Sequence, residues 1–275
     1  MTFIVTLMTL LVERFFDWSH LRYMGWFTHY ERWVEQKSPS KNPYVILAAA
    51  ILPVIIIVSL LGCLLDGALY GFVRLIFEVI VLMYCYGPQN LWADAFASIN
   101  TLSGGDAKAA QDKLQYTFGI QSTNSPQTLH FQLLDHIFMA ANRRIFAVVF
   151  WYVIAGLPGA ILYRLITLAT DGTSNTAQVA RKIEEWLDYI PVRIFSFLFA
   201  LGGHFVKVLS CWRKKVFSNV SQNEALLTDC GLAALGVEDA PHLLDDGSIL
   251  REAVSLLDRV FIITLVLIAL FVLMS

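Results

Sequence analysis

The sequence has little charge. Only 15% of its 275 residues are charged, whereas 57% are hydrophobic, and the mean hydropathy is +0.60. Soluble domains usually carry about 25% charged residues. The net charge of −2 provides no general attraction for nucleic acid, so we expect no nucleic-acid partner. The composition therefore indicates an integral membrane protein.

Motifs for metals, nucleotides and disulfides are also missing. The four cysteines show no CxxC spacing and two lie inside apolar runs, so we expect reduced packing residues and neither a disulfide framework nor a zinc site. Walker A, GxGxxG, nucleophile-elbow and EF-hand patterns are absent, and no histidine has HExxH spacing. No motif in the sequence identifies a cofactor, and the motifs do not decide whether a metal is bound.

Long apolar runs predict the membrane spans. A bilayer core of about 30 Å requires roughly 20 apolar residues of helix. The predicted spans are 44–65, 68–86, 145–169 and 259–274, with 190–212 as an uncertain fifth span that could instead be re-entrant or amphipathic at the surface. Residues 2–12, about 16 Å long as a helix, are expected to lie in the interface or enter partway. They lack the features of a cleaved signal peptide and are expected to remain as an anchor.

Details within the spans predict their packing. Pro53 lies in the middle of the first span and predicts a kink. Only Asp66-Gly67 separates the first two spans, which predicts a tight helical hairpin. Arg74 and Glu78 in the second span are four residues apart, so they can pair on one face and share the cost of leaving water.

The basic residues predict the orientation of the spans. Segment 13–42 is rich in arginine and lysine, so we expect it on the cytoplasmic side, with the tip of the hairpin outside. If 145–169 crosses fully, loop 170–189 is outside, although Arg181 and Lys182 in that loop argue against this placement.

The segment 88–140 has a soluble character and is expected to form cytoplasmic helices. It shows helical spacing, a break at Gly104-Gly105 and a helix capped by Asp106. No stretch has the alternation of a β-strand. We therefore predict an all-α fold: a polytopic membrane helical bundle in which 1–275 is a single membrane domain.

Two groups of charged residues are candidate sites. Glu13 and Arg14 end an apolar run, and they either belong to an interfacial amphipathic helix or point into a polar cavity. Glu184 and Asp188 share a helix face and would suit a cation or a basic partner, unless they lie on a solvated face where Glu185 pairs with a nearby arginine.

A second stretch continues this group. Pro191 fits the first turn of a new helix, and Arg193 would then turn inward to a carboxylate or phosphate. Gly202 and Gly203 permit close helix approach. His204 at membrane depth would be buried and need a partner, as a structural residue or as a ligand.

The order of these features resembles the AmpE family, the regulatory signalling modulator branch of the CobD/CbiB superfamily. The resemblance rests on LLVERFF near the start, the two-span hairpin, GGDAKAAQDKLQ, LDYIPVRIFSFLFALGGHFVKVLSCW and the closing apolar helix. It implies a bacterial inner-membrane protein that is linked to cell-wall recycling and β-lactamase induction. It also implies that the polar residues line a cavity inside the bundle.

The chain departs from the cobalamin-making branch of that superfamily. Those enzymes carry GDP-x-x-x-x-HP near the start and ENxxDG entering the middle span, where this chain has ERFFDWSHL and MAANRRIFA. The missing acidic residues favour a modulator over an enzyme.

Three functions follow from these observations. The first is a modulator in the lipid bilayer that binds a small molecule or a wall fragment, and a cytoplasmic protein. The second is a membrane enzyme with a divalent metal on Glu184, Glu185 and Asp188, a phosphate on Arg193, and His204 moving a proton. The third, a transporter, is disfavoured because the spans show no inverted repeat and no matching pair of broken helices. The glycine-rich helix could also mediate homo-oligomers.

Overall fold

A computed structural model describes residues 2–15, 25–38, 42–65, 71–87, 91–103, 126–172, 176–237 and 247–274. Within these ranges the chain is helical and has no strand, and the prediction of an all-α polytopic membrane bundle is confirmed. The predicted hairpin tip at Asp66-Gly67, the break at Gly104-Gly105 and the helix capped by Asp106 lie outside the described residues.

The described helices follow one another as separate elements. They are α1 (Thr2–Phe15), α2 (Gly25–Lys37), α3 (Pro43–Leu64), α4 (Phe72–Tyr86), α5 (Leu91–Ser103), α6 (Pro126–Ala141), α7 (Ala147–Thr170), α8 (Ala177–Gly202), α9 (Phe205–Lys215), α10 (Asn223–Leu235) and α11 (Gly247–Met274). A π-helical turn at Asn142–Phe146 joins α6 to α7, and a 3-10 turn at Val220–Gln222 precedes α10.

Four stretches of the described chain are long and apolar enough to cross a membrane. They are Pro43–Leu64, Phe72–Ile99, His130–Thr170 and Ser248–Met274. Most of each predicted span other than 190–212 falls within one of them. The doubtful span 190–212 does not, because α8 ends at Gly202 and α9 begins at Phe205, so no single helix covers it.

Helix α3 shows how the local sequence builds a span. Asn42 caps the helix, with its Oδ1 accepting from the amide of Tyr44 at 3.0 Å, and Pro43 occupies the first turn, where its missing amide is harmless. The helix continues through Pro53. Its 22 residues extend about 33 Å, enough to cross a bilayer core. Several of its apolar side chains are more than half exposed, as lipid contact requires: Leu52, Ile56, Ile57, Leu60 and Leu64.

Helix α7 does not run straight. At Gly156 the backbone has φ 67° and ψ −158°, a conformation that is essentially restricted to glycine. Pro158 follows closely and cannot donate an amide hydrogen bond. Arg143, which precedes Gly156 by 13 residues, donates from Nη2 to the carbonyl oxygen of Thr167 at 2.8 Å. A straight helix would separate Arg143 from Thr167 by about 36 Å. The chain therefore folds back at Gly156.

We call residues 143–171 the reversed hairpin, with a first arm before Gly156 and a second arm after it. The second arm is about 20 Å long, which is shorter than a bilayer core of about 30 Å, whereas the first arm continues through the π-helical turn into α6. The arms approach closely beside the turn, because a Cβ at Gly159 would lie only 2.5 Å from the carbonyl oxygen of Trp151. Residues 145–169 therefore do not form one straight helix, because both ends of the reversed hairpin lie together. The membrane crossing of this segment stays a prediction.

Contacts divide the chain into two compact units. The first comprises Met1–Pro88, Arg143–Asp188 and Ile268–Ser275, and the second comprises Gln89–Asn142 and Tyr189–Leu267. The prediction of a single membrane domain stays a prediction.

In the first unit the reversed hairpin packs against α1, α3 and α4. The predicted ion pair in α4 is confirmed, with Arg74 Nε 2.9 Å from Glu78 Oε1. Glu78 also accepts from the hydroxyl of Tyr152 in the first arm, at 2.6 Å. At the other end of α4, the guanidinium of Arg164 in the second arm occupies the space that a side chain at Gly87 would need. A hydrogen bond at one end of α4 and close packing at the other therefore fix the hairpin along this helix.

The second unit has an aromatic core. The rings of Phe138, Phe195 and Phe199 are fully buried, with Phe199 lying 5.1 Å from Phe138 and 4.9 Å from Phe195 between centroids. Phe138 packs directly on Gly231 of α10, where a Cβ would collide with the ring. Trp92 donates from Nε1 to Asp258 at 2.7 Å and ties α5 to α11.

Candidate functional site

Arg143 organises a polar cluster at the open end of the reversed hairpin. Its Nε donates to Glu184 Oε1 of α8 at 2.6 Å. Its Nη2 lies 3.1 Å from Asp171 Oδ1 and also donates to Thr170 Oγ1 and, as noted, to a backbone carbonyl of the second arm. A single guanidinium therefore joins both arms of the hairpin to the start of α8.

The π-helical turn places Arg143 in this position. Such turns are rare and occur often at functional sites, because the extra residue redirects the side chains around it. The turn spans Asn142–Phe146 and includes Arg143 as its second residue.

Tyr163 adds a second connection between the hairpin and α8. It is fully buried, and its hydroxyl donates to Asp188 Oδ1 at 2.8 Å. Asp188 is itself only 7% exposed, one helical turn after Glu184. The face of α8 that the sequence predicted as polar is therefore turned towards the hairpin. We call Arg143, Tyr163, Asp171, Glu184 and Asp188 the Arg143 cluster.

Burial and the charge of Arg143 act on the pKa of Glu184 in opposite directions. Burial raises the pKa of Glu184 above its ordinary value, because removing a carboxylate from water disfavours the charged form. The charge of Arg143 and its hydrogen bond oppose that rise.

One edge of Arg143 is open. Its side chain is 31% exposed, and among the described residues nothing accepts a hydrogen bond from Nη1. A carboxylate or phosphate can accept a hydrogen bond from Nη1, but two-point binding would also use Nη2, which already donates to three oxygens. An acidic group bound to Arg143 would therefore compete with the present acceptors of its guanidinium.

The two predicted amino-terminal site residues differ in exposure. Glu13 is 1% exposed on α1, whereas Arg14 beside it is exposed. Glu185 on α8 is exposed, as a residue of a solvated face would be. The predicted metal ligands are not gathered into a metal site, because in the part of the chain with described side chains no three histidine, cysteine or acidic residues come together in that way.

Arg193 belongs to the second unit and binds backbone atoms. Its donors reach the carbonyl oxygens of Tyr189, Val216 and Ser218 at 2.6–2.8 Å and the side chain of Asn223 at 2.9 Å. The expected carboxylate is not among these partners, because the turn after α9 supplies carbonyl oxygens instead. A phosphate partner for Arg193 stays a prediction. Pro191 likewise lies inside α8 rather than at the start of a new helix.

His204 is exposed, not buried as expected. It is the residue before α9, and its amide donates to the carbonyl oxygen of Ala234 at 3.1 Å. Gly203 makes this junction possible, since a Cβ there would lie 2.6 Å from the same oxygen. The GGH stretch is a helix break that packs on α10, and this break turns the imidazole away from the core.

Sequence reasoning missed Arg143, Tyr163 and Asp171 as cluster members. The signal for the reversal was the sequence Gly-Leu-Pro-Gly at 156–159, which combines residues that interrupt helices.

Comparison with known proteins identifies the family. The family model described as "Regulatory signalling modulator protein AmpE" matches residues 1–275. The chain belongs to the AmpE family. Two curated relatives of the AmpE-family chain are each named "Cobalamin biosynthesis protein CobD", in agreement with the wider superfamily.

The two relatives match only in part. The protein from Chromobacterium violaceum is 26% identical over 172 residues, which are 60% of this chain and 55% of the relative. The protein from Stutzerimonas stutzeri is 35% identical over 100 residues, which are 34% of this chain and 33% of the relative. The AmpE-family chain thus spans about half or less of their lengths. No solved structure matches significantly.

Proposed function

We propose that this chain is a bacterial inner-membrane sensor of AmpE type that modulates β-lactamase induction in response to a cell-wall fragment or a related small ligand. The match of the family model to residues 1–275 is the observation that carries the proposal. The four candidate spans support a membrane location.

The ligand binds at the open edge of Arg143 through an acidic group. The guanidinium already holds Glu184 and Asp171, so an added carboxylate or phosphate competes with these residues for one cation. A ligand shifts a conformational equilibrium only as far as its contacts differ between the states. Weakening the bond to Glu184 would loosen α8 from the reversed hairpin, and this movement is the signal passed to a cytoplasmic partner.

The direct test is native mass spectrometry of protein extracted in mild detergent. Wild type is compared with Arg143→Gln and with the control Arg251→Gln, which changes an exposed arginine of α11. We expect an adduct on wild type and on the control that is lost from Arg143→Gln. An adduct on all three proteins would place the ligand elsewhere.

A second test addresses the regulatory role. A strain lacking the chromosomal copy is complemented with each variant and exposed to an inducing β-lactam, and β-lactamase activity is measured. Arg143→Gln is expected to behave like the empty vector, and Arg251→Gln like wild type. Equal β-lactamase activity in all strains, including the one with the empty vector, would contradict the proposed link to β-lactamase induction.

The second candidate is a membrane enzyme related to adenosylcobinamide-phosphate synthase. The two relatives named for cobalamin biosynthesis favour it. It requires a divalent metal and a phosphorylated or amphiphilic substrate. Metal-dependent release of product from a labelled substrate, abolished in Asp188→Asn, would place this function first.

A further inference from the structure

A second polar site lies in the first unit, away from the Arg143 cluster. It is a cavity of about 340 Å³, bounded by α1, α3, α4 and the turn of the reversed hairpin. This volume falls within the range of small-molecule pockets. The residues that give it chemical character are Ser59, Cys63, Arg74, Glu78, Tyr152 and Gly156.

The cavity holds an acid and a base side by side. Glu78 is 7% exposed and its two carboxylate oxygens are held by Arg74 and by the hydroxyl of Tyr152. The side chain of Arg74 is 38% exposed, so the cation remains accessible. Both residues belong to one candidate span, with Arg74 near the start of α4 and Glu78 one helical turn further along, and ionisable groups within such spans are costly and generally functional.

The backbone also points to a polar occupant. At Gly156 the helical hydrogen-bond ladder is interrupted, and Pro158 has no amide with which to restore it. Irregular backbone at membrane depth is tolerated only where protein buries it or where it lines a polar cavity. Gly156, Leu157 and Pro158 all line this cavity. The turn therefore gives the site a polar wall that a straight helix could not provide.

We propose that this cavity binds a zwitterion, in which a primary ammonium group lies close to a phosphate or a carboxylate. The ammonium would bind Glu78 and the acidic group would bind Arg74. The pair is neutral overall, so a ligand with net charge would leave an uncompensated charge in a poorly solvated site. A zwitterion gives each of the two residues a new partner of opposite charge and keeps the net charge of the site at zero. This proposal uses none of the residues of the Arg143 cluster and stands apart from the proposed regulatory function.

Two sources could supply this chemistry: the headgroup of phosphatidylethanolamine, or a free molecule such as phosphoethanolamine. Cys63 reports on both, because it is an exposed thiol that lines the cavity, whereas the other three cysteines are buried. The rate of its reaction with N-ethylmaleimide is measured on the full chain in nanodiscs. Three samples are compared. The first has nanodiscs of phosphatidylethanolamine, the second has nanodiscs of phosphatidylcholine, and the third has nanodiscs of phosphatidylcholine with phosphoethanolamine added to the buffer.

We expect alkylation about tenfold slower where the zwitterion is present, because a site nine-tenths occupied leaves one-tenth open. Protection in phosphatidylethanolamine alone would identify the lipid, and protection by phosphoethanolamine would identify a soluble ligand. Phosphatidylcholine lacks N–H donors and should not protect. Equal rates in all three samples would overturn the proposal.

Variants test the two charges separately. Glu78→Gln should abolish protection, and Glu252→Gln, at an exposed carboxylate of α11, should leave it unchanged. If Glu78→Gln does not fold, Arg74→Gln serves instead, because that side chain is already partly in solvent. Protection that survives in either variant would show that the ion pair does not hold the ligand, and the proposal would fail.

Discussion

Replacing Gly156 by alanine tests the reversal of α7 through the sign of its effect on stability. The observed φ and ψ are nearly forbidden to residues with a Cβ, and holding one there costs about 1–3 kcal/mol. Alanine also stiffens the unfolded chain, which returns about 0.4–1 kcal/mol. The Cβ itself meets nothing closer than Pro158 Cδ at 3.7 Å, so crowding adds little. We expect a net loss of about 1–2 kcal/mol.

The matched control is Gly62→Ala in α3. A Cβ there meets only the ring of Phe77 at 3.9 Å and the backbone is helical, so alanine should stabilise the protein by up to about 1 kcal/mol. The free energy of unfolding is measured by titration with SDS in mixed micelles, followed by tryptophan fluorescence. If α7 were a straight helix, Gly156→Ala would also stabilise the protein, and that result would refute the reversal.

Three further outcomes follow from the contacts. Arg143→Met leaves Glu184 buried without its cation and should lower the free energy of unfolding by about 3–5 kcal/mol, measured by the same titration. The loss should be smaller at low pH, where Glu184 is protonated. A loss that does not depend on pH would contradict the pairing. Cys63 should be the only cysteine alkylated in the folded protein, as mass spectrometry of digests can check, and the other three should react only after unfolding. Gly231→Ala should destabilise by about 1–3 kcal/mol through collision with Phe138, and adding Phe138→Leu should recover part of that loss; strictly additive losses would argue against the contact.

The sequence predicted the features that depend on local composition. Apolar length identified spans such as 44–65, and the spacing of Arg74 and Glu78 predicted an ion pair that the structure contains. The all-α class followed from the absence of alternation. These properties depend on neighbours along one helix, so a single sequence contains them.

The reversal at Gly156 was not predicted, because hydropathy reports the depth a segment can reach and not whether it returns. The Arg143 cluster was missed for a related reason. Its members come together only when the chain folds back, which brings Arg143 to Asp171 although 28 positions separate them. The backbone partners of Arg193 were not predicted, since the carbonyl oxygens that it binds leave no sequence pattern.

The reversal also changes the expected side of the membrane for the basic residues Arg181 and Lys182. Arg181 and Lys182 opposed an external loop at 170–189, but this placement assumed a full crossing by 145–169. If the reversed hairpin enters the bilayer and returns, its two ends lie on the same side and the positive-inside tendency places these residues in the cytoplasm.

The most direct test of the reversal is a distance between its two ends. Spin labels are attached at Arg144→Cys and Gly172→Cys in a background whose native cysteines are serine, and the protein is measured in nanodiscs by double electron–electron resonance. A straight helix would separate these positions by about 42 Å. We predict a main distance less than half of that value. A distribution centred near the straight-helix value would contradict the reversal, and with it the placement of the Arg143 cluster and the cavity.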